Sequence, residues 1–227
     1  MTQNYFAIAF RYLRSMMTDA LLTAEKLLQA EAIRLSPHEP FTWASGWKSP
    51  IYCDNRKVLS HPYIREFIKS ELCSVVFEKF GAAEVVAGVA TAGIPWGAMI
   101  ADQLKLPFIY VRPKPKEHGL GNQIEGSFKS GQKVVVIEDL ISTGKSSLEV
   151  VNVLKSTGLD VIGMVSIFNY RFSKAAQSFN DAGIDLISLT DYPALLEIAS
   201  QKGIITPEQA SVLLKWREKP ETWSGVM

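Results

Sequence analysis

From residue 19 to residue 33, apolar residues recur three and four apart (Leu21, Leu22, Leu27, Leu28, Ile33), the spacing of a helix with one buried face. The stretch FTWASGWKSPIYCDNRKVLSHP, residues 41–62, loses that period and is dense in turn formers, so short strands are expected there. A second helix is expected over about Tyr63 to Phe80. After it the rhythm becomes an alternation of strand and helix. Strands are expected at Glu84 to Val89, Pro107 to Val111, Val134 to Ile137, Asp160 to Phe168 and Ile184 to Leu189. Helices are expected at about Pro95 to Leu104, Lys145 to Lys155 and Ser173 to Ala182, with two more, Asp191 to Gln201 and Pro207 to Glu218, closing the chain. Such alternation predicts an α/β fold, a mostly parallel central sheet with helices on both faces.

The run Val134, Val135, Val136, Ile137 carries the most information. Four β-branched residues without polar alternation suit a strand covered on both faces of a parallel sheet. Glu138 and Asp139 follow at its carboxyl end, where open α/β sheets bind ligands. Ser142, Thr143 and Gly144 then make a small-residue turn that opens a helix with Leu148, Val151 and Leu154 on one side. Free amides at such a helix start form an anion site. Carboxylates suit vicinal hydroxyls or a magnesium-bound sugar and an amide cradle suits a phosphate monoester, so the segment suits a phosphorylated ribose. Gly144, Lys145 and Ser146 imitate the end of a nucleotide triphosphatase loop. That loop needs a glycine five positions before Gly144, where this chain has Asp139, which excludes it.

Composition narrows the partners. The 227 residues suffice for one α/β domain with added elements, and 24 basic against 23 acidic residues leave a formal charge of +1. So small a net charge offers no strong field for nucleic acid or an anionic membrane, and anion binding must be local. Two cysteines, Cys53 and Cys73, are too few for a disulfide framework and fit a reducing compartment, so a soluble cytoplasmic protein is expected. No apolar run approaches the roughly 20 residues that span a bilayer. Residues 1–17 contain Arg11 and Arg14 and no acid. Their charges follow the apolar stretch Tyr5 to Phe10, the wrong order for a secretory signal, so a disordered extension is expected ahead of a single domain over 18–227.

The segment RPKPKEHGLGNQIEG, residues 112–126, is long for a loop in a compact domain. It combines Arg112, Lys114, Lys116 and His118 with glycines at 119, 121 and 126. Cations with hinges suit a lid that closes over a polyanion and excludes water.

The hydrophobic strand, both acids and the S-T-G turn, in that order, resemble the phosphoribosyl-pyrophosphate (PRPP) signature of the type I phosphoribosyltransferases. The K-x-H-G lid at Lys116 to Gly119 and the match of Phe41, Thr42, Ser45, Gly46, Ser49 and Pro50 to the motif F-T-x-x-S-G-x-x-S-P narrow the resemblance to the orotate phosphoribosyltransferases. GVATAGIP, Gly88 to Pro95, is similar to the family's pyrophosphate loop. The resemblance covers about Thr18 to the C-terminus and implies the family's fold, with a small hood from about 18–62 and the C-terminal region.

Carried over by position, the resemblance implies that Glu138 and Asp139 hold the ribose hydroxyls, with Leu140 and Ile141 beside them and the 5-phosphate on Ser142, Thr143, Gly144, Lys145 and Ser146. It implies that Arg112, Lys116 and His118 bind the pyrophosphate, with Lys116, His118 and Asp139 closest to the chemistry. Orotate would meet Ser142, Arg171 and Tyr52. Mg2+ is implied as a cofactor carried by PRPP with no direct protein ligand, and a homodimer is implied in which the lid is shared between subunits, without nucleic acid or membrane. The chain departs from the family where relatives carry lysines: Ala44, Ala92 and Pro113 stand there. Two other readings stay open from the residues alone. A purine-specific relative would have no carboxylate for Arg171 to pair, and a non-catalytic regulator would bind a nucleotide or nucleic acid, against which the near-neutral charge weighs.

Overall fold

The structure, a computed structural model, describes residues 19–43, 46–114 and 123–223. Two compact units divide the chain, one made from Met1–Val58 and Leu189–Met227, the other from Leu59–Ser188.

In the first unit, helix α1 (19–29) leads into strand β1 (Ile33–Leu35), which pairs antiparallel with β4 (Ile51–Cys53). Between them β2 (Phe41–Thr42) and β3 (Lys48–Ser49) form a short ribbon. The expected helix to Ile33 stops four residues early. Glu31 takes a left-handed φ of 50°, and the amides of Glu31 and Ala32 return to the carbonyls of Leu28 and Leu27 at 3.0 Å, closing the helix end. Ile33 is then pulled out of the helical pattern by its pairing with Cys53. Helices α6 (Tyr192–Gln201) and α7 (Pro207–Glu218) complete the unit. Asp191 caps α6 by accepting the Ala194 amide, and Thr206 and Gln209 form a capping box on α7. Trp216 is the core of this unit. Its ring lies 5.7 Å from Trp43 and 5.4 Å from Tyr192, and its indole N–H donates to Lys48 O.

The second unit follows from its apolar runs. A 3-10 turn (Asn55–Ser60) carries the chain across the first unit boundary, and helix α2 (Pro62–Lys79) leads to β5 (Val85–Val89), α3 (Gly93–Leu104), β6 (Phe108–Val111), β7 (Ile124–Glu125), β8 (Lys133–Ile141), α4 (Lys145–Ser156), β9 (Asp160–Asn169), α5 (Ser173–Asp181) and β10 (Leu186–Asp191), whose last residues belong to the first unit. Strand order in the six-stranded sheet is β10-β9-β8-β5-β6-β7. β9, β8, β5 and β6 run parallel, and β7 returns antiparallel along β6. Alternate residues (Val85, Ala87, Val89, Val134, Val136, Met164) pack with Val150, Val151, Leu154, Ala175 and Phe179 of α4 and α5. The opposite face is covered by α2 and α3, which pack on β9 and on β5, β6 and β8. Val134 to Ile137 are fully buried, as their composition predicts.

Two expectations need correction. The signature strand does not end at Ile137. It continues to Ile141, because Glu138, Leu140 and Ile141 keep pairing with Ser166, Phe168 and Asn169 of β9, so both acids lie within the strand's last four residues. The stretch 112–126 is also not loop throughout. Arg112 and Gln123 pair through their backbones and Ile124 is buried, which makes β7 an anchored return.

Candidate active site

The sheet order reverses around β5. The chain passes from β5 to β6 on one side and then to β8 on the other, so β5 and β8 are neighbours whose following loops leave in opposite directions. In open α/β sheets a ligand crevice forms at such a switch, beyond the carboxyl ends. Four of the segments singled out in the sequence emerge from that one edge: GVATAGIP after β5, Arg112 after β6, Ser142 to Ser146 after β8 and Arg171 after β9.

The β8 segment is built around a helix start without a side-chain cap. Gly144, at φ 77°, is the N-cap of α4, and the first intrahelical bond is from Leu148 N to Gly144 O. The leading amides, from Lys145 to Ser147, therefore have no acceptor within the helix. Ser142 and Thr143 are half-buried, and Lys145 and Ser146 are exposed beside those amides. A left-handed glycine turn followed by outward amides suits an anion of phosphate size.

The adjacent acids are unequal. Asp139 is half-buried at the strand end, whereas Glu138 is only 6% exposed. Both oxygens of Glu138 are engaged: Oε1 accepts the Asp139 amide at 3.0 Å and Oε2 accepts the Ser147 hydroxyl at 3.0 Å. Burial, and after it the neighbouring charge of Asp139, holds the Glu138 carboxyl well above the ordinary carboxylate range. Ser147 was not legible as a partner, because its position in the buried row of α4 with Val150, Val151 and Leu154 reads simply as a small core residue.

The β5 loop is shaped by close approach. A Cβ on Gly93 would stand 2.5 Å from Ile137 O, so only glycine lets the start of α3 lie against β8. Ala92 is the N-cap of α3, again with no side-chain cap, and the Ala90–Thr91 peptide is cis. Arg112, half-buried at the end of β6, pairs with Glu125 at 3.7 Å. Lys114 is exposed, and Lys116 and His118 lie outside the described residues. Arg171 is exposed at φ 58°, its amide held by Asn169 Oδ1 at 2.7 Å. Since Asn169 pairs with Ile141, the Arg171 backbone stands two residues beyond the point where β8 turns into its anion loop. Asn169 is a further residue that sequence reasoning passed over.

Tyr52 belongs to the other unit, on β4, and is half-buried. Its ring lies 5.6 Å from that of Phe41, and the Arg34 guanidinium is 5.6 Å from both centroids, so the aromatic platform is braced by a cation. Ala44 lies outside the described residues, and Lys48 is exposed, donating to Thr42 Oγ1 at 2.8 Å.

A sheet edge that joins a phosphate-sized amide turn to a carboxylate and two arginines defines a binder of sugar phosphates. Comparison with known proteins agrees. The phosphoribosyl transferase domain family matches residues 64–193. The chain is 54% identical to the orotate phosphoribosyltransferase of Phocaeicola vulgatus over 210 residues, 92% of this chain and 99% of that one. Among solved structures, that of the orotate phosphoribosyltransferase from Aeropyrum pernix is similar with a TM-score of 0.70 and 30% identity, over 81% of this chain and 99% of that one. The structure of Leishmania donovani UMP synthase is similar with a TM-score of 0.74 and 28% identity, over 87% of this chain and 42% of that longer one. The chain belongs to the phosphoribosyltransferase family, among its orotate phosphoribosyltransferases.

Proposed function

We propose that this chain transfers the 5-phosphoribosyl group of PRPP to orotate, giving orotidine 5′-monophosphate and pyrophosphate in pyrimidine biosynthesis. The observation that carries this reading is the convergence of the uncapped α4 start, Asp139 and Arg171 at the carboxyl ends of the adjacent strands β8 and β9. The amides and hydroxyls of Ser142 to Ser146 receive the 5-phosphate, and Asp139 grips the ribose diol. Arg171 pairs with the orotate carboxylate through its planar fork, and Ser142 borders the base.

Pyrophosphate leaves C1 through an oxocarbenium-like state, so the protein's work is orientation, charge neutralisation and exclusion of water, with no covalent nucleophile. Arg112, Lys116 and His118 neutralise the departing diphosphate. Mg2+, carried in with PRPP and held by no direct protein ligand, would supply neutralisation of the charge on the leaving diphosphate. Asp139, an oxygen donor at a strand end, is of the type that tolerates such an ion beside it. We place the enzyme in the cytoplasm as a homodimer that shares the lid between subunits. No helix among the described residues is long and apolar enough to cross a membrane.

Orotate consumption that depends on both PRPP and Mg2+, measured beside a panel of purine and pyrimidine bases, tests the assignment. Arg171→Ala removes a charge-assisted pair and is expected to raise the KM for orotate about tenfold to a hundredfold while leaving that for PRPP nearly constant. An unchanged orotate KM would remove Arg171 from the orotate site.

A further inference from the structure

We infer that Ser147 is a positioning residue for the phosphate loop: its hydroxyl, donated to Glu138 Oε2, ties the first turn of α4 to the end of β8 and so sets the shape of the turn between them. The inference rests on the reading that the 5-phosphate sits on that turn.

The two partners are nine residues apart in the chain and both are buried, Glu138 6% and Ser147 1% exposed, so the bond is shielded from competition by water. It closes a ring around Asp139 to Ser146, the residues proposed to meet the sugar and its phosphate. Inside the ring no side-chain cap braces the start of α4. Ser147 shares the buried row of α4 with Val150, Val151 and Leu154, which fixes the direction of its hydroxyl. The remaining Glu138 oxygen holds the amide of Asp139, so one buried carboxylate orients both the helix start and the residue that faces the ribose. Glu138 thus also acts through Ser147 and Asp139, holding the helix start and the neighbouring acid in place.

The test combines calorimetric binding of Mg-PRPP with steady-state kinetics for Ser147→Ala, Ser147→Thr, Glu138→Ala and the double alanine variant, each checked for folding by thermal unfolding. Ser147→Ala is expected to weaken PRPP about tenfold, with the KM for orotate unmoved and kcat lowered less than PRPP affinity. Ser147→Thr, which keeps the hydroxyl, recovers most of that loss. In the double variant the second alanine adds little, because both single changes break the same tie. PRPP affinity untouched in Ser147→Ala, even with a lowered melting temperature, overturns the inference, as do strictly additive losses in the double variant. Wild-type turnover of orotate checks the parent assignment separately. If that turnover is missing while PRPP binding still weakens in Ser147→Ala, the base assignment falls and the positioning role stands.

Discussion

Gly144 is the residue at which the shape of the phosphate turn and the packing of the sheet make the same demand. Its φ of 77° costs an alanine about 1–2 kcal/mol. A Cβ there would also stand 2.7 Å from Cε2 and 3.3 Å from Cδ2 of Phe179, with Ala175 Cβ behind them at 3.8 Å. Phe179 is 3% exposed and packed in the core between α4, α5 and the sheet, so its ring has no free direction in which to yield. Overpacking of this kind costs about 1–3 kcal/mol, and Gly144→Ala should therefore lose about 2–5 kcal/mol in all. Gly131 supplies the control. It has nearly the same φ, 85°, but nothing within 4 Å of where its Cβ would be, so Gly131→Ala should lose only the backbone part, about 1–2 kcal/mol. Urea unfolding of both variants, read as a shift in midpoint at constant slope, isolates the Phe179 contact. Gly144→Ala should also bind Mg-PRPP more weakly in calorimetry, since α4 must move to relieve the contact. Losses of stability that agree within about 0.5 kcal/mol would refute the claim that the aromatic ring selects glycine here.

Two further outcomes follow from burial. The raised carboxyl of Glu138 stabilises the fold most at pH below its ordinary 4.5, and that contribution is lost as pH rises through the higher folded-state value. The neutral Glu138→Gln escapes the loss, so its melting temperature should rise relative to wild type as pH is raised above 4.5; a difference that stays flat as pH rises contradicts the burial argument. In the first unit, Trp216→Ala removes a fully buried ring and should cost about 3–5 kcal/mol of stability by urea unfolding, whereas Trp216→Phe gives up mainly the bond to Lys48 O and should cost distinctly less.

Which features could be read without coordinates depended on how far apart in the chain their causes lie. The four β-branched residues from Val134, the two acids, the S-T-G turn and the start of α4 are contiguous, and each is specified by neighbours within one turn of helix or one strand. The end of α1 was not, because Ile33 continues a helical pattern and leaves it only to pair with Cys53, twenty positions away. The same holds for β7, two residues long, whose existence depends on β6 beside it.

The order of apolar and polar residues alone determined an α/β chain with a parallel sheet, and placed a sugar-phosphate signature at the carboxyl end of one strand. Tertiary structure alone decided that this strand lies beside β5 at the reversal of strand order, that Arg171 emerges next to it, and that Glu138 turns inward to Ser147 while Asp139 stays at the strand end. Local conformation follows from backbone sterics and the period of burial, which neighbouring residues carry with them. The difference between two adjacent acids arises from desolvation and from a hydroxyl nine residues on, which act only once β8 and α4 have packed.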